Sequence, residues 1–126
     1  MHRSRLYGIF IDTPAGEADA AITFWAAALG GSSRQVPGEP AFTQITGAVP
    51  GLAVDVQSIG DQARYHVDIE TDDVEAEAAR LLRLGAVLVT DHGGHKILRA
   101  PGGHLLCVVP VQSAEHFFAI EAEVWP

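Results

Sequence analysis

Tyr65-His66-Val67-Asp68-Ile69-Glu70 alternates apolar and polar residues without interruption, the period of a strand with one buried face. Thr71-Asp72-Asp73 follows, a helix N-cap with an acidic first turn that suits the helix dipole. From Val74 to Leu84 the period changes to that of a helix, with Val74, Ala78, Leu81 and Leu82 on its inner face, and Gly85 stops it. Short apolar segments at Val87–Val89, Lys96–Arg99 and Leu105–Val109 then read as strands. They are separated by the turn residues Gly93-Gly94 and Pro101-Gly102-Gly103.

Toward the N-terminus the same grammar occurs once more. Leu6 to Ile11 reads as a strand closed by the turn Asp12-Thr13-Pro14. Glu17 to Leu29 is a helix with Ala21, Ile22, Trp25, Ala28 and Leu29 along one face, ended by Gly30-Gly31. Ser32 to Gly51 carries hairpin-like strands between Gly and Pro turns, and Leu52 to Val56 is a further strand. Gly8 and His66 hold equivalent places 58 residues apart, and Leu29-Gly30 and Leu84-Gly85 lie 55 apart. Such self-similarity is an internal repeat. The expectation is an α+β domain over 1–126, with a first βαβββ module at 5–60, a second at 64–110 and a C-terminal extension at 111–126.

The composition narrows the function. The chain has 126 residues, 48% of them apolar and 19% charged, which is the profile of one packed core rather than a disordered chain. A formal net charge of −8, with one lysine, argues against nucleic acid as a partner. No apolar run is long enough for a membrane span, and the segment after Met1-His2-Arg3-Ser4-Arg5 is too short for an export signal, so a cytoplasmic protein is expected. The single cysteine, Cys107, forms no internal disulfide.

Several ordered phrases together resemble one family. Phe24-Trp25-Ala26-Ala27-Ala28-Leu29-Gly30, His66 to Glu77, Leu81-Leu82-Arg83-Leu84-Gly85-Ala86 and Ala100-Pro101-Gly102-Gly103-His104-Leu105-Leu106-Cys107-Val108 are similar to the glyoxalase-like branch of the vicinal oxygen chelate superfamily. The superfamily includes glyoxalase I, bleomycin-resistance proteins, extradiol dioxygenases and fosfomycin-inactivating transferases. The resemblance, from about Leu6 to Pro110, implies two βαβββ modules forming a cupped mixed sheet, commonly completed as a homodimer. Members that hold a divalent metal draw His, Gln and Glu ligands from the first strand of each module and from the module-ending strands. His66 matches one such position, but Gly8 stands at its counterpart and Cys107 where the closing glutamate falls. No metal and no other cofactor is therefore expected. His92 and His95, in a Gly-rich turn, are read as solvated loop residues.

Strand alternation assigns the faces. Tyr65, Val67 and Ile69 are expected beneath the second helix, and His66, Asp68 and Glu70 in the cup, although a solvated face or a structural polar network would explain the same row. In the first strand Leu6, Gly8 and Phe10 face the cup, with Gly8 leaving space where other members carry a ligand. Leu98 or Ile97 adds an apolar wall, Cys107 closes the set, and Lys96 and Arg99 border it. Phe24 and Trp25 are expected in the core under the first helix, and Phe117, Phe118 and Trp125 buried within the chain or against a partner. The leading expectation is a bleomycin-resistance-like protein binding a small organic ligand without a metal. The alternatives are a lyase or isomerase using His66 as acid or base, and a metal-dependent enzyme of the dioxygenase kind.

Overall fold

The computed structural model describes every residue from Met1 to Pro126. In chain order the elements are β1 (His2–Pro14), a 3-10 turn (Ala15–Glu17), α1 (Ala18–Leu29), β2 (Ser32–Gln35), β3 (Phe42–Thr46), β4 (Ala53–Ile59) and β5 (Arg64–Thr71). They continue with α2 (Val74–Arg83), β6 (Val87–Asp91), β7 (Lys96–Arg99), β8 (Leu105–Pro110), α3 (Glu115–Glu121) and β9 (Glu123–Trp125). The fold is α+β, with the βαβββ order met twice. No helix is long and apolar enough to cross a membrane. The residues form two compact units, Gly8–His66 and Met1–Tyr7 together with Val67–Pro126.

In the Gly8–His66 unit the strands neighbour one another in the order β2-β3-β4-β1. The β1–β4 pair is parallel and runs on to Pro14, because Asp12 and Thr13 stay in register with Gln57 and Ser58 instead of turning. The helix-facing residues Ile11, Ile45, Val54 and Val56 form the core with Ile22 and Trp25 of α1. Phe24 is not part of it and is 61% exposed. One residue before Trp25 on a helix points about 100° around the axis, off the apolar stripe. Gly30 ends α1 in a left-handed conformation at φ 68°, and the Gly31 amide donates to the Ala26 carbonyl at 2.9 Å. Gly8 leaves no space: a β-carbon built there would lie 2.7 Å from the Ala53 carbonyl oxygen on β4. The place of a side chain at Gly8 is thus taken by the neighbouring strand.

In the second unit β8 lies between β5, which it pairs in parallel, and β7, which continues to β6. Asp73 caps α2, its carboxylate accepting from the Ala76 amide at 3.0 Å, with Glu75 and Glu77 in the first turn and Arg80 and Arg83 in the last. Val67 and Ile69 do lie with Val74 and Leu81 around the core, whereas Tyr65 is 64% exposed. Leu98 also belongs to this core, fully buried beside Leu106 and Val108, and not to a ligand wall. Register explains it: Leu98 opposes Leu106, and the alternating pair Ile97–Cys107 takes the other face.

The extension folds onto the same unit. β9 pairs antiparallel with the start of β1, Phe118 is buried beneath Arg3, and the Trp125 indole donates to Ser4 Oγ at 2.9 Å. Phe117 and Trp125 are half-buried, each against a guanidinium, Arg5 at 4.8 Å and Arg80 at 3.7 Å from the ring centres.

Candidate functional site

The residues of β1 that alternate away from α1 are Gly8, Phe10 and Asp12, and those of β4 are Ala53, Asp55 and Gln57. Register sets Phe10 beside Asp55 and Asp55 beside Gln44, and on the next row Asp12 beside Gln57 and Gln57 beside Phe42. This sheet face therefore carries carboxylates, amides and two aromatic rings where a plain core would be aliphatic.

His66 comes onto this face from β5. Its Nδ1 lies 2.7 Å from Asp12 Oδ2, and its ring stacks on Phe10 with centroids 4.7 Å apart and planes 11° apart. Phe42 meets Phe10 edge-on at 6.0 Å. Arg64 donates from Nε to the same Asp12 oxygen at 3.1 Å and reaches Asp61 at 3.7 Å. Asp12 is 1% exposed, and its other oxygen, Oδ1, is buried with no hydrogen bond. An ionised carboxylate only accepts, so in the neutral ring Nδ1 carries the hydrogen and Nε2 holds the basic lone pair. Phe10 fixes the plane of that ring. The arrangement is a carboxylate-oriented imidazole.

Of the residues singled out in the sequence, Phe10 and His66 are brought together. Asp12 was missed, because Asp-Thr-Pro reads as a turn. The signal available was parity, since Gly8, Phe10 and Asp12 fall on alternate positions of one strand. Asp68 and Cys107 are register partners on β5 and β8, both half-buried. Leu6 is 41% exposed in the β1 half that belongs to the other unit, and Leu98 is in the core.

Glu70 is engaged within the protein. It is fully buried, accepting from Arg5 Nη1 at 2.6 Å, Ser113 Oγ at 2.5 Å, and the amides of Gln112 and Ser113 at 2.7 and 2.9 Å. Burial pushes its carboxyl pKa up, but these donors, Ser113 first, outweigh burial and hold it below the usual range. It is the structural polar network among the readings of the His66-Asp68-Glu70 row. Lys96 is buried too, its ammonium 2.8 Å from Asp91 and 2.9 Å from Glu75, while Arg99 donates to the Gly103 carbonyl on the surface. His92 and His95 stack at 4.5 Å in an exposed turn, with no third donor group joining them.

Comparison with known proteins matches the fold. The family model described as a glyoxalase-like domain covers residues 8–109. No curated protein matches the chain. Among solved structures, the Legionella pneumophila protein described as an NAD-dependent benzaldehyde dehydrogenase superposes with a TM-score of 0.58 at 9% identity, covering 82% of this chain and 99% of that one. A methylmalonyl-CoA epimerase from Streptomyces coelicolor gives 0.54 at 18% identity, with 88% and 96% covered. The Mycobacterium tuberculosis methylmalonyl-CoA epimerase gives 0.52 at 16%, with 84% and 87% covered. At such identities the likeness is one of fold, and with the family match over most of its length it places the chain in the glyoxalase-like family of the vicinal oxygen chelate superfamily.

Proposed function

We propose that the chain binds a small organic molecule against the Phe10–His66 pair and that His66 moves a proton to or from it. The reaction is of the isomerase or lyase kind. The observation that carries this reading is the 2.7 Å contact between His66 Nδ1 and the buried Asp12 carboxylate, on a sheet face that also sets amides and aromatic rings beside it. Phe42, half-buried against Phe10, favours a substrate with a flat or apolar part, and Gln44 and Gln57 suit a carbonyl or hydroxyl on it. Solved structures of the same fold include methylmalonyl-CoA epimerases, which are isomerases by name.

The reading includes no resident metal. The family's donor position in the first module falls on Gly8, where the β4 backbone occupies the place of a side chain. A divalent metal is the second reading, favoured by Asp68 and Cys107, which put a carboxylate and a thiol opposite one another on β5 and β8. We also propose a cytoplasmic homodimer. Its support is the exposed apolar strand β6, which ends its sheet and leaves Val87, Leu88 and Val89 at 64%, 44% and 46% exposure.

The test is proton exchange from carbon in D₂O, followed by NMR over a panel of 2-substituted acyl thioesters, 2-hydroxy ketones and aryl ketones. Wild type is expected to exchange at least one class, and His66→Ala to lose that exchange. Exchange at the wild-type rate in His66→Ala overturns the assignment of the base. Bound metal at one per chain, lost in an Asp68→Asn, Cys107→Ser double variant, moves the reading to metal chemistry.

A further inference from the structure

The other face of the same four strands is divided. Under the C-terminal half of α1 the helix-facing residues are aliphatic, Ile11, Ile45, Val54 and Val56, and they are closely packed. Under its N-terminal half the corresponding positions are Ser33 and Gln35 on β2, Thr43 on β3 and Ser58 on β4. Here helix and sheet flank a cleft of about 420 Å³, open to solvent along β2 and within the size range of small-molecule sites. The gap follows from the sequence. Ala15 and Ala18 on the helix side and Ala41 on the strand side are too short to fill it. Interiors otherwise pack to the density of organic crystals, and a single leucine at any of these positions would close much of the space.

The lining chemistry is specific. The hydroxyls of Ser33, Thr43 and Ser58 make no hydrogen bond within the protein, and Gln35 donates only a long bond of 3.3 Å to the Pro40 carbonyl. Asp19, in the first turn of α1, is the only charged residue lining the cleft, and it forms no ion pair. No arginine or lysine faces it, so an anion would find no counter-charge. Hydroxyls that both donate and accept, one amide and one accepting carboxylate match a ligand that is itself an array of hydroxyls. Ile22 and Val56 offer apolar contact for the CH face of such a ring.

We propose that this cleft is a second binding site, separate from the His66–Asp12 pair and on the opposite face of the sheet, for a neutral polyhydroxylated molecule of monosaccharide size. The test is amide-resolved NMR titration of the whole chain with glucose, and with gluconate as the anionic counterpart. Glucose is expected to shift the amides of Ser33, Thr43, Ser58 and the first turn of α1, and gluconate to leave them in place. Thr43→Val with Ser58→Ala removes two hydroxyls while keeping nearly the same volume, so the fold persists, and affinity for glucose should fall about tenfold or more. Asp19→Asn should weaken binding as well, and His66→Ala should leave it unchanged. No shift with glucose, equal shifts with gluconate, or full affinity in the double variant overturns the proposal.

Discussion

A histidine beside an aspartate does different things according to which oxygen and which nitrogen meet. Here the contact is to Nδ1, and Asp12 spends the same oxygen on Arg64 while Oδ1 stays without a donor. In the proposed reaction this carboxylate fixes the ring's tautomer and stabilises the imidazolium that forms when Nε2 takes a proton. Asp12→Asn keeps the shape and removes that charge. It should lower kcat by about 10²–10⁴-fold with KM little changed, read by steady-state kinetics on whichever substrate exchanges. Phe10→Leu frees the imidazole plane without touching its partner, and its effect should be smaller. At Gly8 the consequence is for stability. A methyl group 2.7 Å from the Ala53 carbonyl forces the strands apart, so Gly8→Ala should cost about 1–3 kcal/mol in urea unfolding. A stability unchanged by that substitution would mean the two strands give way easily.

The two helices are built differently. α2 is short but has a side-chain cap, a correctly signed charge gradient and a strongly two-faced sequence. α1 is capped by no side chain and holds its place by packing Ala21, Ile22, Trp25 and Ala26 on the sheet. Asp73→Ala should therefore destabilise the protein by about 1 kcal/mol, measured by thermal or urea denaturation. Elements of this kind were readable in the sequence: α2 and β7 fall where period and turn residues set them, and Gly30 and Gly85 end their helices as expected. Edges were less readable, because pairing partners decide them. β1 outruns its expected end since Asp12 and Thr13 find β4, and for the same reason the carboxylate of the candidate site was hidden inside an apparent turn. Leu98 and Ile97 stayed alternatives for the apolar wall because a four-residue strand carries too little alternation to set its own parity, and it is Leu98 that lies in the core.

At the scale of the whole molecule, the two fully buried glutamates are each surrounded by donors. Glu77 accepts from Ser4, His2 and Arg80, as Glu70 does from Arg5 and the 112–113 segment. In both, burial alone would raise the carboxyl pKa, and the hydrogen bonds reverse this and hold it below the ordinary value of 4.5. A lowered folded-state pKa contributes stability that is fully present above the unfolded value and is lost as pH falls through the folded one. Unfolding midpoints in urea should thus drop between neutral pH and the range below 4.5, and Glu77→Gln should flatten that dependence while lowering stability at pH 7. Ser113→Ala removes the largest of the donors to Glu70 and should move the acid transition to higher pH. An unchanged acid transition in both variants would assign acid unfolding to other carboxylates.

The pairing of β9 with β1 sets Trp125 directly across from His2. The β1 and β9 ends therefore lie side by side, His2 against Trp125. A bridge of a few Gly and Ser residues is enough to join them, and the exposed Gly93-Gly94 turn, far along the chain from that seam, is a natural place to open new ends. Such a circularly permuted chain should fold to the same architecture, with the termini moved to a hairpin and the old ends held as one continuous strand pair.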